Sequence, residues 1–298
     1  SGSERSRCWM TWPQFVTVTL NGLTLAALYF VVAIGFTLIF GVLRVVNLAH
    51  GSLYLFGGYV GWSVADRSGS WLLGALAAFL VAGLAGLVLE LGLLRPLHGQ
   101  DLREALVTIG VSIIAADLML ARWGGFTYDF SPPEAITGGV RIPVLGIGYP
   151  KYRLFVLAFA LALGVVLWMV LSRTRLGITV RAAIDDRDIV AAVGIDVQRV
   201  FAAMFAIGAG LAGLAGVVGG SVLSISSGED ARYLLASLIV VIVGGMGSLP
   251  GTAVAAILVA LVEQYSLALF ATYAAIVSFL LMVLVLAVRP QGLFGRPA

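Results

Sequence analysis

Few residues in this chain could do covalent or metal chemistry. Its only histidines are His50 and His98 and its only cysteine is Cys8, so neither an intrachain disulfide nor a Cys/His zinc spacing can be built. No G-x-x-x-x-G-K-[ST] run exists to cradle nucleotide phosphates, and no H-E-x-x-H exists to hold zinc. A serine nucleophile would want Gly-x-Ser with a histidine on another helix. Gly61-x-Ser63 and Gly110-x-Ser112 supply the first half, but in a chain of 37 glycines that match carries little weight, and His50 is the one histidine inside an apolar block. The residues argue against an enzyme. Four charges lie near apolar blocks: Arg44, Glu90, Asp117 and Glu263. Glu90 stands close to Arg95 at a block's end, which predicts an interfacial ion pair. Arg44 is expected at an interface, and Asp117 and Glu263 near the opposite end. None is assigned a proton relay.

The more informative residues interrupt apolar blocks. The run NLAHGSLYLFGGYVGWSV (47–64) carries Asn47, His50, Gly51, Ser52, Tyr54, Gly57 and Gly58 where an ordinary span would be aliphatic. A second interruption, GGMGSLPG (244–251), carries Gly244, Gly245, Met246, Gly247 and Ser248. A broken helix at membrane depth exposes backbone groups, which is tolerated only inside protein or along a watery path. Paired breaks of this kind point to a translocation route. Close helix packing through small residues is the competing reading, with no contact to solute. The flanks of 244–251 fit either one long broken helix or a hairpin of two shorter ones.

The elements that must position these residues are membrane spans. Of 298 residues, 60% are hydrophobic and 11% charged, with a mean hydropathy of +1.05. A soluble domain carries about 25% charged residues. The apolar blocks are each long enough for a bilayer core of roughly 30 Å. The sequence therefore predicts an all-α, polytopic transmembrane bundle of about eight spans, with two broken Gly-rich segments. Residues 1–11 are set aside as a polar N-terminal extension or tag remnant, and 12–298 are read as one transmembrane domain. The first apolar block is too long for a signal-peptide core and is read as a retained span. Residues 122–152 hold Pro132, Pro133, Pro143 and Pro150 and are expected to be an irregular loop, and 224–232 a short one. The net charge of +3 comes without a basic stripe interleaved with aromatics, so nucleic acid is not an expected partner.

The most polar stretch is 172–199. Within it, Asp185 or Asp186 could cap a short helix over 185–193 that includes Asp188, with Gly194 as its stop and Ile184, Ile189, Ala192 and Val193 along one face. Such a helix could dock on a cytoplasmic ATPase and pass a push to two spans. A solvated loop explains the same spacing equally well. Arg173, Arg175, Arg181, Arg187 and Arg199 here, Arg95 and Arg103 earlier, and Arg289 and Arg296 at the end place all three regions, and the C-terminus, in the cytoplasm by the positive-inside rule.

Five runs in order resemble the branched-chain amino acid type of ABC transporter permease: NGLTLAALYFVVAIGFTLIFGVLRVVNLAHGSLYLFGGYV (21–60), RPLHGQDLREALVTIGVSII (95–114), RTRLGITVRAAIDDRDIVAAVGIDVQRVFAAMFAIGAGLAGLAGV (173–217), VVIVGGMGSLPGTAVAAILVALVE (240–263) and RPQGLFG (289–295). The chain is most similar to the shorter of the family's two permease types. The resemblance implies a bacterial inner-membrane importer in which this subunit pairs with a second, related permease. Two cytoplasmic ATPase subunits would bind ATP-Mg, so that this chain needs no cofactor, and a periplasmic binding protein would deliver solute. The family's coupling helix carries over onto 185–195, that is Asp185, Asp186, Asp188, Ala191, Ala192, Val193, Gly194 and Ile195. Some relatives carry an acidic residue at the position of Ser52, which leaves branched-chain amino acids, other amino acids, urea and short amides open as substrates. A stand-alone secondary transporter or channel is the rival of a different class. It would need an intramembrane ion site and transport by this chain alone.

Overall fold

The computed structural model describes residues 10–44, 46–142, 147–185, 190 and 192–295. Helix α1 (Trp12–Leu43) starts where the Gln14 side chain accepts a hydrogen bond from the Thr11 amide at 2.9 Å. It ends at Arg44, whose φ of 58° turns the chain out of the helix. The next helix, α2 (His50–Ser68), begins only after the chain has run back along α1, and stops at Gly69 with φ 67°. Helix α3 (Trp71–Leu89) is capped by the Ser70 hydroxyl and passes through a π turn (Glu90–Leu94) into a 3-10 turn (Arg95–Leu97), where Pro96 ends it. Helix α4 (Asp101–Trp123) follows.

The long connection after α4 is less irregular than expected. Strands β1 (Gly139–Ile142) and β2 (Ile147–Pro150) pair antiparallel with Gly139 opposite Pro150, and Tyr128 forms a bridge to Ile225. Helix α5 (Lys151–Arg173) is followed directly by α6 (Arg175–Asp185). Helix α7 (Val197–Leu223) is capped by the Asp196 carboxylate, which accepts from the amides of Gln198 and Arg199. Helices α8 (Glu229–Gly244), α9 (Leu249–Phe270) and α10 (Ala274–Val288) complete the chain.

Six of the described helical stretches are long and apolar enough to cross a membrane: α1, α3 with its extension, α4, α5, α7 and α9 with its extension. The chain is an all-α, multi-pass helical bundle. Helices α1 and α7 form its core, with 83% and 72% of their apolar windows buried, whereas α4 and α5 have 17% each. Leu72, Leu76, Leu80, Leu84 and Val88 of α3 and Leu106, Ile113 and Leu118 of α4 are exposed, as the surface of a protein solvated by lipid tails allows.

Glycine sets the core spacing. A Cβ on Gly57 would lie 2.1 Å from the Gly213 Cα, so α2 and α7 touch backbone to backbone. The order of contacts gives the helix directions. Gly22 meets Leu261 and Gly41 meets Gly247, so α1 and α9 are antiparallel, while Asn21 meets Arg153 and Phe30 meets Gly164, so α1 and α5 are parallel. Arg95 donates to Gln198, which puts the turn after α3 and the start of α7 at one end of the bundle. Arg44, the 172–199 stretch and the C-terminal segment share that Arg-rich end.

One ion pair differs from expectation. Glu90 is buried and pairs with His98 at 3.0 Å, not with Arg95. The π turn and the 3-10 turn fold the chain back so that position 98 comes under position 90, while Arg95 is left at the surface facing Gln198.

Candidate functional site

The first interruption lies at depth. The Asn47 side-chain oxygen accepts from the Ala49 amide at 3.0 Å, and the Leu48 amide donates to the Thr108 hydroxyl of α4 at 3.2 Å. These bonds satisfy backbone that no helix covers. His50 is fully buried and its Nε2 donates to the Val32 carbonyl at 3.0 Å, with its ring edge-on to Phe36 at 5.3 Å. Val32 is well inside α1, roughly 16 Å from its end at 1.5 Å per residue. Helix α2 therefore begins near mid-bundle.

Three residues join this segment to the start of α8. A Cβ on Gly51 would sit 2.1 Å from the Asp230 carbonyl oxygen, so only glycine lets the two chains meet there. The Ser52 hydroxyl lies 2.8 Å from the Ser112 hydroxyl of α4 and donates to the Asp230 carboxylate at 3.3 Å. The Tyr54 ring packs on Tyr233 with centroids 4.1 Å apart, and Gly219 leaves room for its hydroxyl. Gly57 and Gly58 face the backbone of α7 at Gly213 and Gly216 and touch no opening.

Beside Ser52 a cleft of about 440 Å³ opens between α2, α3 and α4, walled by Leu53, Phe56, Val111, Leu118 and Met119. A larger cavity of about 580 Å³ between α1, α5 and α9 is almost wholly apolar and holds none of the candidates.

The second interruption is a hairpin turn at the Arg-rich end. The chain leaves α8 at Gly244, turns through Gly245 (φ 98°) and Gly247 (φ 82°), and enters α9 with the Ser248 hydroxyl accepting from the Gly251 amide at 3.2 Å. Gly247 packs on Gly41 of α1, and Met246 is exposed. The C-terminal segment crosses this turn, with the amides of Leu293 and Phe294 donating to the carbonyls of Val243 and Gly244 at 2.8 and 3.0 Å. Those carbonyls would otherwise be orphans of the helix end. The two interruptions thus sit at opposite ends of α8, about 24 Å apart for its 16 residues.

Sequence reasoning named Ser112 only within a Gly-x-Ser pattern and missed Asp230 and Tyr233. It placed 224–232 in a loop, whereas α8 already begins at Glu229. Gly228 followed by two acids was the available signal for a helix start.

Of the 185–195 stretch, Asp186, Asp188 and Ala191 lie outside the described residues. Asp185 is the last residue of α6 (Arg175–Asp185), and the start of the short helix expected over 185–193 lies outside the described residues. Val190 is buried with Val180, Ala183, Leu94 and Phe201. Ala192 and Val193, two of the residues expected along one face of the short helix, are exposed, Val193 to 74%, and Ile195 to 37%. Gly194 has φ 87°, and the Ile195 amide donates to the Val190 carbonyl at 3.3 Å. The stretch is pinned to the bundle through Val190 and offers an apolar tip to solvent.

The model of the family "Branched-chain amino acid transport system / permease component" matches residues 18–286, which include both interruptions and the 172–199 stretch. This chain belongs to that family. Among curated permeases of the family, the high-affinity branched-chain amino acid transport system permease protein BraD of Pseudomonas aeruginosa is 30% identical over 293 residues, covering 93% of this chain and 95% of BraD. The corresponding LivH of Salmonella typhimurium is 29% identical over 300 residues, 95% of this chain and 96% of LivH. LivM of Escherichia coli, also a permease protein of that system, is 28% identical over 311 residues, 95% of this chain and 72% of LivM. No solved structure matches this permease.

Proposed function

We propose that this chain is one permease subunit of an ATP-driven importer for branched-chain or other amino acids in a bacterial inner membrane. The family match along the whole helical domain carries the reading. Likeness to both LivH and LivM supports pairing with a second, related permease. Two cytoplasmic ATPase subunits, which would bind ATP-Mg, push on the exposed Ala192–Ile195 tip. A periplasmic binding protein delivers solute at the opposite end, near the β1–β2 hairpin and 224–228. Arginine at the end that holds Arg95, 172–199 and Arg289 supports a cytoplasmic placement of that end and of the C-terminus. Glycine contacts such as Gly57–Gly213 leave few side chains to obstruct sliding as the bundle switches between two packed arrangements.

The direct test is assembly. Purified with candidate ATPase subunits and a second permease, the complex should hydrolyse ATP faster when loaded binding protein is added. ATP hydrolysis that ignores the binding protein, or a chain that never co-purifies with the ATPase, would contradict the reading.

A further inference from the structure

Helix α4 is held mainly on one side, with its contacts running to α2 and to the turns that follow α3. The cleft of about 440 Å³ between α2, α3 and α4 has Ala49 and Ser52 at its inner end, near mid-bundle, and Arg122 and Trp123 at its outer end. Along α4 it runs from Val111 to Arg122, about 16 Å at 1.5 Å per residue, half of a bilayer core of roughly 30 Å. Leu53, Phe56, Ala115 and Met119 make its walls apolar, and Leu118 at its rim is 65% exposed. The Ser52 hydroxyl is already engaged by Ser112 at 2.8 Å and Asp230 at 3.3 Å. The cleft is therefore one leaflet deep, apolar within and bordered by lipid.

A cation stands at its mouth. Arg122 is exposed, with its guanidinium 5.5 Å from the centre of the Trp123 ring. That ring is fixed in turn, stacked on Tyr59 at 5.1 Å and donating from Nε1 to the Ser63 hydroxyl at 2.9 Å. Tryptophan and arginine at a helix end mark the headgroup level. Among the described residues no carboxylate pairs with Arg122. Asp117 lies about 140° round the helix from it, at roughly 100° per residue, and does not line the cleft. We infer that the cleft seats one phospholipid of the leaflet opposite the Arg-rich end, with its phosphodiester on Arg122 and one acyl chain between Leu53, Phe56, Val111 and Ala115. The guanidinium fork matches a phosphate, and the depth matches one chain. The site needs only the multi-pass bundle and is independent of the importer reading.

Two photoreactive lipids with the same diazirine acyl chain test it: a phosphatidylglycerol, and a diacylglycerol that lacks the phosphate. Each is irradiated with the full chain in nanodiscs, and cross-linked residues are mapped by mass spectrometry. Leu53 and Phe56 should take the phosphatidylglycerol about fivefold more than the diacylglycerol, whereas the exposed Leu76 and Leu80 of α3 should take both equally. Arg122→Gln should remove the preference at Leu53 and Phe56, and Arg122→Lys should keep most of it, with Leu76 and Leu80 unchanged in both. Equal labelling of the cleft by the two lipids, no labelling there, or a preference that survives Arg122→Gln overturns the site. Should Arg122→Gln fail to fold, the two lipids on the unaltered chain still decide. Co-expression with partner subunits should leave the pattern as it is. Loss of cleft labelling on assembly would give the cleft to a partner's helix and overturn the lipid site.

Discussion

Glu90 and Arg95 test the local geometry. Glu90 is buried and bound to His98, while Arg95 reaches an exposed Gln198. Removing a partner from a buried polar pair leaves an unsatisfied group, which costs about 2–3 kcal/mol. An exposed contact contributes less than about 1 kcal/mol. Glu90→Ala should therefore lower the melting temperature of the purified protein clearly more than Arg95→Ala. Equal shifts would restore the pairing expected from sequence. That expectation failed because five residues at a helix end look like one turn, and nothing in the residue types marks a π turn that brings His98 round. Gly57 gives the opposite lesson. Its place in a Gly-rich run already signalled a close approach, and the structure supplies the neighbour, Gly213. Gly57→Val would force α2 and α7 apart, at a cost of about 1–3 kcal/mol or more. A fluorescence-detected thermal ramp should show that loss, and a neutral result would mean that the two helices are not in backbone contact.

At the scale of elements, the ends of the long helices were legible because their punctuation is chemical. Ser70 caps α3, Pro96 closes its extension, Asp196 caps α7 and Ser248 caps α9. The interruption at 47–52 was legible as polar residues in an apolar block. Its depth was not, since that depends on how far 44–49 runs back along α1. The choice between a long broken helix and a hairpin at 244–251 depends on the C-terminal segment that covers it, a contact that spans some fifty residues of sequence and leaves no local trace. For the polar stretch, sequence offered an apolar face that included Ala192 and Val193, and the buried anchor Val190 beside the exposed Val193 carried no mark of its own in the residue types. The tip therefore tests the drive. Ala192→Glu adds a charge on the exposed surface, and Gly194→Pro replaces a residue at φ 87° with one fixed near −65°. Both should leave membrane insertion intact and separate ATP hydrolysis from uptake, each lowering uptake per ATP by about tenfold or more. Normal coupling in both would mean that the ATPase grips another part of the chain.

For the whole molecule, the division of labour is the point. The Arg-rich end carries the turns, the strapped 244–248 hairpin and the exposed tip. The opposite half carries the Ser52–Ser112–Asp230 cluster and the start of α8. On the proposed function, a push at one end and a solute at the other are linked through the packed helices, of which α1 meets α7 at Gly35–Gly208 and α2 meets α7 at Gly57–Gly213. The proposed function assigns the source of energy to the partner ATPase subunits. Leucine uptake into proteoliposomes, measured with and without ATP, the ATPase subunits, the second permease and the binding protein, tests that most directly. The account predicts uptake only when all are present. Uptake driven by this chain alone, with or without an ion gradient, would contradict it.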